Sequence, residues 1–163
     1  MIEPGSPVRG EKMVLAPVII RKAECYDIKQ MISLLGELFS IEKDFTFNDI
    51  SQQNGLAMML DDNEKRDIMV AASGDQIIGM CSAQLLVSTA EGGMVAFIED
   101  MVVAKSYQRQ GIGKRLLLSM EKWAHKKKVK RIQLLADRNN INALDFYKKQ
   151  KWSTTQLICL RKT

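Results

Sequence analysis

The stretch SYQRQGIGKRLL, residues 106–117, sets Gly111 and Gly113 one residue apart among Arg109, Lys114 and Arg115, just ahead of an apolar helical run. The first turn of a helix carries backbone N–H groups without intrahelical partners, and a partial positive charge. Glycines in front of it let those donors approach an anion with no side chain in the way. The β-rich run FIEDMVVA (97–104) leads straight into this turn. Strand, glycine turn and basic helix together make a cradle for an oxyanion or a phosphate.

Charge gathers in the same place. The 163 residues carry a formal +5, from 24 basic and 19 acidic side chains. Residues 105–131 hold ten Lys or Arg against Glu121 alone, a local +9, which leaves −4 for the remainder. With 46% hydrophobic and 26% charged residues the chain has a globular composition, and its length suits one domain. No apolar run approaches the roughly 18 residues of a membrane span, and the first 15 residues lack a secretory h-region. Cys25, Cys81 and Cys159 are odd in number and far apart, with no metal-ligand spacing. That fits reduced thiols in a cytoplasmic protein that binds no metal.

Residues 1–16, with Pro4, Pro7, Gly5 and Gly10 and no periodicity, read as a flexible leader with Met13 as an alternative start; residues 17–163 read as a single domain. VIIRKA (18–23) is a short strand, and Ile28, Met31, Ile32, Leu35 and Leu38 recur at helical steps over 26–39. A mixed loop (40–49) and a second helix (51–60) follow. Residues 67–104 then alternate as three strands divided by SGDQ and TAEGG, an antiparallel meander. After the glycine turn come a helix to about 128, a strand (131–136), a short helix (139–150) and a closing strand (156–162). The order β-α-α-β-β-β-α-β-α-β predicts an α/β fold, a mixed and largely antiparallel sheet flanked by helices.

Two familiar phosphate loops do not fit. The mononucleotide pattern G-x-x-x-x-G-K-[ST] needs glycine where Gln108 stands and Ser or Thr where Arg115 stands; the dinucleotide pattern G-x-G-x-x-G needs glycine where Leu116 stands. Gln108, Gly111 and Gly113 instead fill Q/R-x-x-G-x-G/A, and in this the chain resembles the GNAT superfamily of N-acetyltransferases. NINALDFYKKQKW adds the family's later N-x-x-A-x-x-F/L-Y segment through Asn140, Ala143, Phe146 and Tyr147, and the element order agrees. The resemblance spans about residues 18–162. One departure is Lys151, where the family often has glycine ahead of an aromatic, here Trp152.

The resemblance implies an acyl-CoA N-acyltransferase fold with acetyl-CoA as cosubstrate. It implies that backbone groups of Gln108, Arg109, Gln110, Gly111, Ile112, Gly113 and Lys114 hold the pyrophosphate, with charge from Arg109, Lys114 or Arg115. Main-chain groups of Met101, Val102 and Val103 would pair with the pantetheine arm, and the Asn140 amide would touch the coenzyme. Acetyl transfer by direct attack in a ternary complex then needs a base, because primary amines are protonated at neutral pH. Glu99 or Asp100, or a water, would take that proton. Adjacent strand residues point to opposite faces, so both share the site only across a bulge. Tyr147 would return a proton to the leaving thiolate, and the Met101 N–H would serve the oxyanion.

Acceptor-side candidates are Phe39, Glu42, Asp44, Phe45 and Phe47 and the STAEGG turn (88–93), acids and aromatics suited to a cationic amine. Each also has a plainer explanation: exposed strand carboxylates, a tyrosine packed on Phe146, ordinary loop aromatics. Lys126–Lys128 reads as a solvated helix end favoured by the helix dipole, and the methionines, Met58 and Met59 included, as core filler. The expected partner is a small-molecule amine, with a homodimer as one assembly and neither membrane nor nucleic acid involved. The basic stripe offers only Tyr107 and Trp123 for base stacking, which argues against nucleic acid. A protein or peptide acceptor, or a non-catalytic acyl-CoA sensor, are the alternative functions.

Overall fold

The computed structural model describes residues 16–42 and 44–162; the leader expected over 1–16 lies, except for Ala16, outside the described residues. Strand β1 (Val18–Lys22) leads through a 3-10 turn (Cys25–Asp27) into helix α1 (Ile28–Phe39) and then α2 (Asp49–Asp61). Asn48 starts α2, its Oδ1 accepting from the Ser51 N–H at 3.0 Å while Gln52 Oε1 accepts from the Asn48 N–H at 2.7 Å. The meander is β2 (Arg66–Ser73), β3 (Gln76–Ser88) and β4 (Gly93–Val103). Helix α3 (Ile112–Lys126), β5 (Ile132–Leu134) and α4 (Ile141–Lys149) follow. The five strands lie in chain order, antiparallel except for the parallel β4–β5 pair.

Helices cover both faces of the sheet. On one face Leu116, Leu117 and Met120 of α3 pack on Ala71, Cys81 and Ala96; on the other, Met31, Leu34 and Leu35 of α1 pack on Val70, Met80 and Val102. Because both faces are covered, β2 is buried along nearly its whole length. Each fully buried Leu or Met contributes about 1.5–3 kcal/mol. Met31, Met80 and Met120 are core residues as expected, but Met58 is 63% exposed. The cause is that α2 has no sustained apolar stripe and buries only Leu56. No helix among the described residues is long and apolar enough to cross a membrane.

The closing strand expected over 156–162 does not form. Leu157 and Leu160 are 88% and 86% exposed, and the chain order ends with α4. Strand propensity reports fit to a pleated, half-buried surface, and β5 is too short to offer this segment an edge of its own length. Arg161 anchors the segment elsewhere, donating to the Asp44 carbonyl at 2.7 Å and lying over the Phe45 ring at 4.7 Å.

Two helices stop in the same way. After α4, Trp152 N–H bonds to Tyr147 O (3.0 Å) and Lys151 N–H to Lys148 O (2.9 Å), with Lys151 at φ 67°. After α3, Val129 N–H bonds to Ala124 O and Lys128 N–H to His125 O, with Lys128 at φ 58°. Both are Schellman motifs with lysine at the left-handed position that glycine occupies without strain. The departure at Lys151 is therefore a strained cap that keeps its geometry. Lys151→Gly and Lys128→Gly are each expected to raise stability by up to about 1 kcal/mol, read as a higher denaturant midpoint at unchanged slope.

Candidate active site

Strands β3 and β4 pair Cys81 with Met101, and next Ala83 with Ile98. One residue of β3, Ser82, therefore faces two of β4, Glu99 and Asp100: a β-bulge. Ile98 and Met101, which flank it, both pack toward α3. The two carboxylates between them fall by alternation on the opposite face: Asp100 bonds to Ser82, and Glu99 lines a cleft with Leu38 of α1 and Glu42. Such a bulge sets two adjacent residues on one face of the sheet. Ser82 Oγ accepts from the Asp100 N–H (3.1 Å) and donates to Asp100 Oδ2 (2.8 Å).

At the same level the sheet opens. The parallel ladder ends at Ile98–Leu134, whereas β4 runs on to Val103. The Ala104 N–H bonds to Ile78 on β3 (2.9 Å). By alternation the backbone groups of Met101 and Val103 face the gap, and those of Val102 face β3. The Gln108 side-chain amide donates to the Val103 carbonyl from the gap side, at 2.9 Å.

The glycine turn abuts this gap. Gly111 precedes α3 at φ 79°, and Arg109 is also left-handed at φ 61°. The first intrahelical bond joins the Arg115 N–H to Gly111 O (3.1 Å), so Ile112, Gly113 and Lys114 have N–H groups without helical partners. A Cβ added at Gly113 would meet Met101 Cε at 3.5 Å and the Phe146 ring at 3.6 Å. Helix start, gap and α4 thus converge on one glycine. Arg109, Gln110 and Lys114 are exposed around the turn, while Arg115 donates to the Val18 carbonyl (2.8 Å) toward β1.

Where the strands part, a cleft is lined by Glu99, Met101, Glu42, Asp137, Asn140 and Tyr147, among others, and by no lysine or arginine among the described residues. Burial, and then the charge of Asp100, hold the Glu99 carboxyl above the ordinary range. Burial also raises Asp100, opposed by its bond from Ser82. Glu42 is raised by burial and then by Asp100, Asp137 and Asp44. Carboxyls crowded without a countercharge favour a cation among them. Burial pushes the Tyr147 phenol far up, with Cys81 and Glu42 adding to it, so it keeps its proton at neutral pH. Its ring stands edge-on to Phe146 at 5.2 Å and 5.8 Å from Trp152. Asn140 caps α4 through Oδ1, which accepts from the Ala143 N–H (3.1 Å), leaving its –NH2 as the donor toward the cleft.

The acceptor-side set divides. Glu42 lines the cleft. Phe39 and Phe45 stack at 5.3 Å, and Phe47 lies against Gly36 of α1, so these aromatics pack the α1–α2 connection. Asp44 is exposed and its carbonyl holds Arg161. The 88–93 turn, tied by Glu91 to Arg131 at 3.0 Å, lies at the other end of β4, about 20 Å along the strand from Glu99. Ser82 and Asp137 escaped the sequence reading. Ser82 left one signal, a lone hydroxyl in the apolar run IIGMCSA; Asp137 opens the turn DRNN, its Oδ1 accepting from the Asn139 N–H (2.8 Å).

An open mixed sheet whose splayed strands meet a glycine-led helix start defines an acyltransferase-type architecture. The chain belongs to the acetyltransferase (GNAT) family, whose profile matches residues 28–152. Among solved structures it is similar to an aminoglycoside acetyltransferase from an uncultured soil metagenomic sample, in complex with trehalose. Identity there is 27%, TM-score 0.75, and the match covers 90% of this chain and 95% of that one. The sisomicin complex of the same acetyltransferase matches at 26% identity and TM-score 0.74, with the same coverage. Aminoglycoside N-acetyltransferase AAC(6')-Iy in complex with CoA, at 15% identity and TM-score 0.79 over 91% and 95%, shares the fold. No curated protein matches the sequence significantly.

The two glycines respond differently to a methyl group. Gly111→Ala is expected to cost about 1–2 kcal/mol, because its φ excludes a Cβ. Gly113→Ala, with only ordinary contacts to make inside a helix, is expected to leave stability unchanged or raise it by up to about 1 kcal/mol. Urea unfolding of the two variants checks the contrast.

Proposed function

We propose that this protein is an N-acetyltransferase that moves acetyl from acetyl-CoA to a primary amine of a small molecule, by direct attack in a ternary complex. The observation that carries the reading is the cleft at the strand gap, lined by both Glu99 and Tyr147, with Glu99 next to Asp100 in the β4 bulge. The coenzyme fits what the residues offer: unpartnered N–H groups at Ile112, Gly113 and Lys114 for phosphates, and the gap-facing backbone of Met101 and Val103 for an extended arm. When bound, acetyl-CoA supplies the activated acyl group.

Glu99, whose carboxyl is raised by burial and by the charge of Asp100, takes the proton of the incoming amine. The Met101 N–H, facing the gap, donates to the oxygen on which negative charge develops. Tyr147 holds a proton for the departing sulfur and is kept protonated by burial. Glu42 and Asp137, with no basic side chain lining the cleft among the described residues, favour an acceptor that carries further positive charge, such as an amino sugar or a polyamine. The aminoglycoside acetyltransferase relative supports the same class.

Thiol release from acetyl-CoA against a panel of di- and polyamines tests the reading. Glu99→Gln and Tyr147→Phe are expected to lower kcat by about 10²–10⁴-fold with CoA affinity unchanged. Wild-type protein that binds CoA but acylates no amine would favour a sensor instead. The active form of Glu99 is deprotonated, so kcat/KM rises with pH through its pKa. Asp100→Asn removes a charge that raises that pKa and is expected to move the acid limb to lower pH; an unmoved limb would set the Glu99 assignment aside.

A further inference from the structure

Ser82 is only 1% exposed, between Cys81 and Ala83, which are fully buried. A hydroxyl is costly there unless it is bonded. Both of its bonds go to one residue: it accepts the Asp100 N–H at 3.1 Å and donates to Asp100 Oδ2 at 2.8 Å. A bulge leaves its extra residue without a regular ladder partner. Ser82 supplies that partner and, with the same oxygen, gives the neighbouring carboxylate a donor.

We propose that Ser82 is a positioning residue of this site, its hydroxyl locking the bulge and orienting the Asp100 carboxylate that stands beside Glu99. This rests on the acyl-transfer reading in one respect, that Glu99 is the base. Cysteine or alanine would fill nearly the same space, so the hydroxyl is the feature to be explained. The titratable groups facing Asp100 are Glu99 on its own strand, Cys81 on β3 and Glu42 after α1. Tyr147 of α4 faces Glu42 and Cys81. None of these is a cation, which leaves the Ser82 Oγ–H bond as the contact that opposes burial and lowers the Asp100 carboxyl. The charge of Asp100 in turn raises Glu99.

The sign follows from this chain. Without the hydroxyl, Asp100 takes up a proton at higher pH, its charge is lost over more of the acid range, and Glu99 is raised less. Carboxyl-carbon NMR titration of wild type and Ser82→Ala, alongside pH profiles of kcat/KM, makes the test. In Ser82→Ala, Asp100 is expected to titrate about half a pH unit or more higher. The acid limb of kcat/KM is expected to move lower, in the direction of Asp100→Asn. Ser82→Thr, which keeps the hydroxyl, restores both, and Ser82→Ala adds nothing in the Asp100→Asn background.

An unmoved Asp100 titration, or additive effects of the two substitutions, would overturn the proposal. If Ser82→Ala does not fold, Ser82→Cys gives the same comparison, since a thiol donates weakly. If wild type acylates no amine, the acyl-transfer reading fails while the NMR titration still decides the role of Ser82.

Discussion

Between Ile98 and Met101, β4 carries two residues where β3 carries one. A regular ladder would send Glu99 and Asp100 to opposite faces, one toward α3 and one toward α1. The extra residue places both on the α1 side while leaving Ile98 and Met101 to complete the core under α3. It also resets the parity of the backbone, so that Met101 and Val103 face the gap where β5 leaves the sheet. The adjacent carboxylates, the gap-facing Met101 N–H and the open edge of β4 all follow from this one irregularity, and Ser82 is the side chain that closes it.

The two halves of the site rest on different physics. At the start of α3 unpartnered N–H groups suit an anion, and the turn that presents them needs glycine at Gly111, where φ is 79°. In the cleft, crowded carboxyls, with no basic side chain lining it among the described residues, favour a cation. Burial sets the acid–base ladder there, with Glu99 raised but ionisable and Tyr147 held protonated. The cap after α4 joins these halves to the fold, because the Schellman bond from Trp152 ends on the carbonyl of Tyr147 itself.

Helix α3, the meander and the glycine turn were legible in the sequence, because local periodicity and backbone freedom are properties of a few neighbouring residues. The bulge was not, since it is a statement about register between strands some eighteen residues apart, and alternation along β4 alone argues the other way. The aromatics Phe39, Phe45 and Phe47 have the composition of an acceptor site but pack the α1–α2 connection instead, a choice made by tertiary contact. Residues 156–162 carry the apolar run LICL and form no strand, because such a run says nothing about whether an edge is available. Ser82 sat in plain view as a lone hydroxyl, yet its partner became identifiable only with the register.

Amide hydrogen exchange along β4, with and without CoA, tests the register and the gap together. Met101 and Val103 amides are expected to exchange readily in the free protein and to be protected when CoA is added. Val102 and Ala104, bonded to β3, should be slow in both states. Equal protection of all four amides in the free protein, or no response of Met101 and Val103 to bound CoA, would contradict it.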